Sequence, residues 1–180
     1  MIISPTIRKA TQEDLSSILI VMTRVSQLMK HPDHFVADDE EFISRHISAE
    51  GSIALACSKN EVVGFQILRY PGTADDNLAR LLPDEAIGPG LVVHMESSAV
   101  LPAYRGQRLQ GELVTVCEEW AVSAGYQWSL CTVHPANTAS LRNLERLSYR
   151  PLRRLTMYGD LDRLILGKRI PSAPNLTSAG

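Results

Sequence analysis

The stretch Val100-Leu-Pro-Ala-Tyr-Arg-Gly-Gln-Arg-Leu-Gln110 decides how the whole chain is interpreted. It connects a predicted strand, residues 91–100, to a predicted helix that begins near Leu109. Pro102 ends the strand, because proline cannot donate a hydrogen bond to a central ladder. A turn that leads directly into a helix presents free backbone N–H groups and the positive end of the helix dipole. The stretch therefore predicts an anion site.

The composition of this turn excludes two common phosphate-binding motifs. It has neither the Gly-Lys-Ser/Thr of a P-loop nor the Gly-x-Gly-x-x-Gly of a dinucleotide-binding fold. A glycine beside a basic residue also occurs in many strand-to-helix turns for purely structural reasons. The turn by itself therefore leaves a structural and a ligand-binding interpretation open.

Hydrophobic periodicity outward from this turn predicts alternating strands and helices. The expected strands are residues 6–10, 52–58, 62–69, 91–100, 128–133, 152–158 and 163–170. The expected helices begin near residues 11, 38, 109 and 137. Because adjacent hairpins are mixed with crossovers through helices, the predicted fold class is α/β, with a mixed sheet and helices on both faces.

Length and composition favour one globular domain. The chain has 180 residues, of which 44% are hydrophobic and 21% charged, and we assign residues 1–170 to a single domain. The tail, residues 171–180, contains two prolines and small polar residues, and we expect it to be disordered. No apolar run approaches the roughly 20 residues that span a bilayer, and the N-terminus lacks the features of a signal peptide. We therefore expect neither a membrane span nor a leader.

The distribution of charge bears on the kind of ligand. The formal net charge of −2 argues against a general nucleic-acid binder. Residues 1–90 hold 8 basic and 13 acidic side chains, whereas residues 91–180 hold 10 basic and 7 acidic ones. A basic second half is typical of a site for an anionic ligand, and a solvated surface with uneven charge is the equal alternative.

The three cysteines indicate a reducing compartment. Cys57, Cys117 and Cys131 form no Cys-x-x-Cys pair, and each lies in an apolar stretch. We expect three core thiols in a cytoplasmic protein, with a nucleophilic cysteine as the less favoured alternative.

One histidine pair has the spacing of a metal site. His31 and His34 are three residues apart, with Asp33 between them. Pro32 is expected to end the first helix and to break any helix at this point, so we expect no metal site.

The first stretch has a counterpart downstream. His134-Pro-Ala-Asn-Thr-Ala-Ser140 is followed by Leu147-Ser-Tyr149. Together the two stretches resemble the signatures of the GNAT superfamily of N-acetyltransferases: the acetyl-CoA-binding motif Q/R-x-x-G-x-G/A and the downstream HPxNxxS…LGF/Y. The element order expected over residues 6–170 is similar to that family's order. The resemblance implies a mostly antiparallel central sheet flanked by helices, with acetyl-CoA as co-substrate.

The resemblance also implies a set of cofactor-binding residues. Backbone N–H groups of the turn would hold the CoA pyrophosphate, and the end of the preceding strand would pair with the pantetheine arm. Asn137 would bond that arm, although asparagine is also a good helix N-cap. The positions implied are Ser98, Val100, Arg105, Gly106, Gln107, Arg108, Leu109, Gln110, Asn137 and Ser140.

The chain departs from the family's pattern at three positions. Arg108 stands where a glycine is expected, so its bulk opposes close backbone approach while its charge favours a pyrophosphate. Gln110 stands at the final Gly/Ala. Leu144 stands where the family often has the tyrosine that protonates the leaving thiolate, and Tyr149 and Tyr158 are the alternatives.

Glu96 is the candidate general base, and His94 is the second candidate. Both lie on the predicted strand 91–100, where even spacing places them on one face with Ser98 and Val100. A glutamate beside apolar walls has a raised pKa and can accept a proton near neutral pH. The alternative for each is a hydrogen-bonded polar residue without a catalytic role.

The reaction that the resemblance implies is direct attack of a primary amine on acetyl-CoA, with no covalent enzyme intermediate. The acceptor, a small molecule or a peptide, would bind between the first two helices and the loop of residues 71–90. Both regions are acidic, which favours a cationic amine, and an acidic solvated surface is the alternative. The acidic residues are Asp38, Asp39, Glu40, Glu41, Asp75, Asp76, Asp84 and Glu85. Dimers are common in that family, so the resemblance allows a homodimer, but the sequence leaves the oligomeric state open. The alternative is a module of this fold that holds CoA or another ligand without turnover.

Overall fold

A mixed sheet forms the centre of the computed structural model, which describes residues 5–82 and 87–171. Its seven strands are β1 (Thr6–Lys9), β2 (Gly51–Ser58), β3 (Glu61–Arg69), β4 (Val92–Val100), β5 (Trp128–Val133), β6 (Arg150–Met157) and β7 (Leu161–Arg169). They lie in the order β1-β2-β3-β4-β5-β7-β6. Every neighbouring pair is antiparallel except β4 and β5, which are parallel. The predicted mixed, mostly antiparallel sheet is confirmed.

Helices cover both faces of this sheet, as predicted. The described residues include α1 (Leu15–Gln27), α2 (Glu40–Ser48), α3 (Leu109–Ser123) and α4 (Thr138–Arg146). Ile18 of α1 and Ile43 of α2 pack in one core with Ile67 of β3. Leu113 of α3 packs in a second core with Leu68. Neighbouring strand residues point to opposite sides, so the sheet has an α1/α2 face and an α3 face.

Several element boundaries differ from the prediction by a few residues, and two of them lie near a proline. α1 ends at Gln27, and residues 28–39, which we call the α1–α2 connection, contain one 3-10 turn at Pro32–His34. β6 begins at Arg150 rather than at residue 152. Pro151 is tolerated in this strand because β6 lies at the edge of the sheet, where a missing N–H leaves no ladder partner unpaired.

Asn77 organises the loop between β3 and β4. Its side-chain nitrogen donates to the carbonyl oxygens of Gly72 and Pro89 at 2.8 and 3.1 Å, and its side-chain oxygen accepts from Ala79 N–H at 3.0 Å. A 3-10 helix, Leu78–Leu81, occupies the apolar patch of this loop. The loop is therefore anchored against the start of β4 on the side of the α1/α2 face.

The three cysteines differ in how deeply they are buried. Cys117 and Cys131 are buried, and burial raises the pKa of both thiols, which disfavours the nucleophilic thiolate. Cys57 is only half-buried, so the expectation of three core thiols is wrong for this residue. It lies near the end of β2 and pairs with Thr6 of the edge strand β1.

Some expectations fall outside the described part of the chain. Of the tail, only Pro171 is described, so the predicted disorder of residues 171–180 lies outside the described residues, as do Asp84 and Glu85 of the acidic loop. Within residues 5–82 and 87–171, no helix is long and apolar enough to cross a membrane.

Candidate active site

A cleft opens where β4 and β5 separate. The two strands pair at three positions, from Val92 to His94 on β4, and diverge beyond them. The cleft has a volume of about 610 Å³ and is bordered by the α1–α2 connection, the end of β4, the turn before α3 and the start of α4. It therefore brings together the two segments that carry the sequence signatures.

A β-bulge interrupts β4 inside this cleft. Gln66 and Leu68 on β3 are two residues apart, whereas their partners on β4, Ser98 and Met95, are three apart. β4 therefore contains one extra residue at this point. Residues paired across a ladder share a face, so Ser98 and Met95 both lie on the α3 face. Glu96, next to Met95, lies on the opposite face.

The bulge overturns one expectation about β4. Alternation without interruption places four residues on one face: His94, Glu96, Ser98 and Val100. In the structure His94 and Glu96 lie on the α1/α2 face, whereas Ser98 and Val100 lie on the α3 face. The proposed base and the proposed cofactor contacts thus border the cleft from opposite sides of the sheet.

The end of β4 presents an unpaired backbone edge to the cleft. Leu101 N–H donates to the Val63 carbonyl of β3 at 2.9 Å, so by alternation the amides of Ser98 and Val100 point away from β3. The Val100 carbonyl accepts from Arg105 Nε at 3.0 Å. The Ser98 hydroxyl is buried and has no hydrogen-bond partner among the described residues. Polar groups therefore remain available to an extended ligand.

Two residues of the turn before α3 have a left-handed backbone. The φ angle is +77° at Gly106 and +64° at Arg108. A glycine at position 108, which the family pattern expects, would therefore adopt this backbone conformation without strain as well as allow close approach of a ligand. The Arg108 side chain is exposed, borders the cleft and makes no hydrogen bond or ion pair with the described residues. Its charge remains available to an anion.

Arg108→Gly is expected to raise the melting temperature by about 2–4 °C. A non-glycine residue in the left-handed region costs about 1 kcal/mol, which corresponds to this shift for a domain of this size. Arg108→Ala is the matched control, because it removes the same charge but keeps a Cβ at positive φ. Thermal unfolding of the two variants checks this, and an equal shift in both would show that backbone strain is not the cause.

The start of α4 borders the cleft from the other side. The Asn137 side chain caps α4 by accepting from Ser140 N–H at 3.2 Å, as predicted for an N-cap. Gln110 accepts a hydrogen bond from Asn143 Nδ2 at 2.8 Å, so this departure from the family pattern ties α3 to α4. Leu144 is buried at the cleft wall and provides no hydroxyl there.

The two alternative proton donors, Tyr149 and Tyr158, differ in their position relative to the cleft. The Tyr149 hydroxyl is buried, donates to Glu118 at 2.8 Å and lies 2.6 Å from the Ser129 hydroxyl. Burial raises the pKa of Tyr149 well above its usual value, and the residue does not border the cleft. Tyr158 does border the cleft, is about half exposed, and has its hydroxyl 3.3 Å from that of Thr132. Of the two tyrosines, only Tyr158 therefore borders the cleft with its hydroxyl accessible to a ligand.

A network of polar groups positions Glu96. His94 Nδ1 lies 3.3 Å and an Arg69 nitrogen 3.6 Å from Glu96 Oε1. His94 Nε2 accepts from Leu78 N–H at 3.1 Å, so the ring proton is on Nδ1, which donates to Glu96. Arg69 also makes two hydrogen bonds to Asp76, at 2.7 and 2.9 Å. The loop between β3 and β4 thus fixes the glutamate through two side chains.

Two expectations for these residues change. Burial by itself raises the pKa of Glu96, but the hydrogen bond from His94 and the charge of Arg69 together lower it below its usual value. The predicted raised pKa is therefore wrong. His94 is buried, does not border the cleft and uses both ring nitrogens, so it is a positioning residue for Glu96.

The cofactor-binding residues implied by the sequence converge on the cleft, with one exception. Nine of the ten border it, and Gln107 does not. The chain matches the model of the acetyltransferase (GNAT) family over residues 15–149. It belongs to the GNAT family. No curated protein matches it with significance.

Solved structures show the same fold over nearly the whole GNAT chain. The ribosomal-protein-S18-alanine N-acetyltransferase of Escherichia coli is 16% identical, with a TM-score of 0.70 over 97% of this chain and 99% of that one. Arabidopsis thaliana NAA60 in complex with acetyl-CoA is 16% identical, with a TM-score of 0.74 over 93% and 99%. A phosphinothricin acetyltransferase of Sinorhizobium meliloti in complex with acetyl-CoA is 16% identical, with a TM-score of 0.67 over 93% and 89%.

The α1–α2 connection of this GNAT domain carries a row of imidazoles beside the cleft. His34 stacks between His31 and His134, with ring centroids 4.8 and 4.6 Å apart, and His134 Nε2 lies 3.2 Å from an Asp33 carboxylate oxygen. Pro32 begins a 3-10 turn that brings ligand atoms of His31, Asp33 and His34 within 4.8 Å of one another. No α-helix runs through Pro32, as expected, but the 3-10 turn brings the ligand atoms together without one. The expected lack of a metal site stays a prediction.

Two arginines at or near the cleft, Arg69 and Arg163, are not among the predicted site residues, and Asp38, predicted on the acidic acceptor side, lies outside the helix expected to carry it. Asp38 was assigned to the first turn of α2, but Asp39 is the N-cap, accepting from Phe42 N–H at 2.7 Å, so Asp38 lies in the connection. In the sequence, a capping aspartate followed by Glu40 and Glu41 indicates that α2 begins after Asp39. Arg69 and Arg163 lie on regular strands, where sequence alone does not distinguish a site residue from a surface charge.

Proposed function

We propose that this protein transfers the acetyl group of acetyl-CoA to a primary amine of a small molecule or a peptide. The cleft between β4 and β5 carries the proposal. An unpaired strand edge binds an extended, amide-containing chain such as the pantetheine arm in the manner of an added strand. The turn at the α3 N-terminus provides backbone amides and a helix dipole for the pyrophosphate.

The side chains around the cleft fit acetyl-CoA. The buried Ser98 hydroxyl lacks a partner among the described residues, and an amide of the pantetheine arm would supply one. Arg108 and Arg146 border the cleft near the turn and α4 and would neutralise phosphate charge. Asn137 uses its oxygen as a cap and keeps its amide nitrogen for the ligand.

The chemistry requires the chain to orient an amine and to move two protons. Acetyl-CoA supplies an activated acetyl group as a thioester. The amine nitrogen forms a bond to the carbonyl carbon, the C–S bond breaks, and CoA leaves as a thiolate. The amine nitrogen gives its proton to a carboxylate that borders the cleft, and Glu96 provides negative charge beside the amine. The Val100 N–H faces the cleft as a donor for the carbonyl oxygen, and Tyr158 gives a proton to the thiolate.

Acetyl-CoA is expected to raise the melting temperature by about 6–10 °C at 100 times its dissociation constant. Ligand at this excess adds about 2.7 kcal/mol of stability, and a domain of this size shifts by about 2–4 °C per kcal/mol. Thermal unfolding with acetyl-CoA and, as a control, with adenosine checks this. No shift at millimolar acetyl-CoA would contradict the proposed function.

Tyr158→Phe is expected to lower kcat by about 10- to 100-fold, since it removes the proton donor to the thiolate. Tyr149→Phe is the matched control: it removes a hydroxyl that is buried in the core, so it should lower stability by about 1–3 kcal/mol without a comparable loss of kcat. Release of free CoA from acetyl-CoA gives the rate. A larger kcat loss in the Tyr149 variant would contradict the assignment.

A second candidate function is binding of CoA or another ligand without turnover. Leu144 favours it, because the wall of the cleft lacks the hydroxyl that the family often has there. A panel of primary amines with acetyl-CoA separates the two functions. Thiol release supports the transferase, and a thermal shift without release on any amine supports the binding module.

A further inference from the structure

We propose that Asp38 completes the acceptor site: the ammonium of the acceptor binds between Asp38 and Glu96, and Asp38 takes its proton during acetyl transfer. This inference rests on the proposed function. It adds a residue that lies outside both sequence signatures, on the α1–α2 connection, and it specifies the acceptor.

Contacts with the sheet hold the connection, and hence Asp38, against the cleft. Arg163 on β7 donates to the Asp33 carbonyl at 2.8 Å, and Ser97 on β4 donates to the Val36 carbonyl at 3.3 Å. The Ser97 hydroxyl is also within hydrogen-bonding reach of Asp38. One hydroxyl proton serves two acceptors there, so the carboxylate of Asp38 is short of donors.

The unpaired oxygen of Asp38 points to a ligand with several donors. Its Oδ2 is shielded from solvent and accepts no hydrogen bond from the described residues. Leaving a buried acceptor unsatisfied costs free energy, more so when it is charged. An alkylammonium group has three N–H donors, so it can donate to more than one carboxylate. A neutral acceptor such as an alcohol has only one.

The carboxylates of Asp38 and Glu96 have different surroundings, which give them different roles. Burial and the negative charge of Glu96 raise the pKa of Asp38 to about 6, with a small further contribution from Asp39 and an opposing one from the Ser97 hydrogen bond. Arg69 and His94 keep Glu96 ionised. Elements packed around the connection contribute five more charged or titratable groups to the cleft: His34, Cys131, His134, Tyr158 and Arg163.

The proton balance follows from this division. Two protons leave the nitrogen in all. As the C–N bond forms and the C–S bond breaks, one of them goes to water, while the thiolate takes a proton from Tyr158 that water replaces. The other passes from the ammonium to an Asp38 oxygen before attack, which frees the lone pair of the nitrogen. Asp38 then loses that proton to water, since its pKa lies below neutral pH. Below pH 6 Asp38 is already protonated and cannot accept, so the rate should fall there.

Apolar walls restrict the acceptor further. Val25 of α1 and three residues of the connection, Met29, Phe35 and Val36, border the same cleft as Asp38. A primary amine on an apolar chain or ring buries its body against these side chains while its ammonium meets the carboxylates. Phenylethylamine is the simplest probe of this class.

Kinetics against pH test the proposal. With phenylethylamine, kcat/KM of the wild type should fall below about pH 6, Asp38→Asn should be at least about 10²-fold slower at pH 7.5, and its acidic limb should vanish. Glu96→Gln should keep an acidic limb, moved to lower pH because a neighbouring negative charge is gone. Glu41→Gln, an exposed change in the same acidic run, should match the wild type. Loss of the limb in Glu96→Gln with its retention in Asp38→Asn would overturn the proposal.

Binding separates this proposal from the proposed function. In calorimetry with and without CoA, the wild type should bind phenylethylamine more tightly than 2-phenylethanol, and Asp38→Asn should reduce that preference by at least about tenfold. An unchanged preference, or none in the wild type, overturns the role of Asp38 even if acetyl transfer to other amines is measured. Failure to bind acetyl-CoA overturns the proposed function instead, and the amine measurement without CoA still decides the role of Asp38.

Discussion

Glu96→Gln is expected to lower kcat/KM for a primary amine by about 10²-fold and to leave acetyl-CoA affinity unchanged. Glutamine keeps the size of the side chain but removes a charge-assisted contact worth about 1.5–3 kcal/mol, of which the upper value corresponds to about 10² in rate. We expect the rate to fall without a loss of acetyl-CoA affinity, because the bulge in β4 puts Glu96 on the α1/α2 face, whereas Ser98 and Val100 lie on the α3 face.

Two measurements on the same protein check this prediction. The rate is taken from thiol release, and the acetyl-CoA-induced shift in melting temperature reports cofactor binding. Glu61→Gln makes the same chemical change at an exposed position at the start of β3 and serves as the control. Near-wild-type turnover in Glu96→Gln would assign Glu96 a structural role. An equal loss of cofactor binding would show that the two halves of the cleft are not independent.

The regular elements of this fold follow from sequence pattern. Long apolar stripes predict α1 and α3, and alternation around Lys59 and Asn60 predicts the hairpin of β2 and β3. The turn of Arg105 and Gly106 leads into α3 as expected, and Asn137 caps α4. Each of these features is local, because the residues that decide it are a few positions apart.

The faces of β4 could not be predicted in the same way. Alternation holds from Val92 to Glu96 and then fails, because one residue is added to the ladder. The consecutive polar residues Glu96, Ser97 and Ser98 are the trace of this bulge in the sequence. Three polar residues in a row are also typical of a strand end, so the pattern does not distinguish the two.

The placement of Asp38 depends on contacts between distant parts of the chain. Arg163 and Asp33, which fix the connection, are 130 residues apart in sequence. The pKa of Glu96 depends in the same way on Arg69 and on a loop that orients His94. Composition indicates that the acceptor side is acidic, but only the tertiary arrangement indicates which carboxylate lacks a partner.

Gly51→Ala is expected to lower the free energy of unfolding by about 2–3 kcal/mol, and the melting temperature by about 4–12 °C. A Cβ at Gly51 would clash with the Leu68 carbonyl oxygen of the paired strand and would lie 3.0 Å from the His46 ring of α2. The first of these neighbours is backbone, so relief requires β2 and β3 to move apart.

Gly51→Ala is also expected to change activity at the candidate active site. Gly51 pairs with Arg69 at the end of the β2–β3 ladder, and Arg69 contacts Glu96. A displaced Arg69 weakens the charge that lowers the pKa of Glu96, so kcat/KM for the amine should fall more than acetyl-CoA binding does. Gly90→Ala is the matched control, because a Cβ there meets no atom within 4 Å, and its effect should stay within about 0.5 kcal/mol. Equal stability of the two variants would show that β2 and β3 accommodate the methyl group without strain.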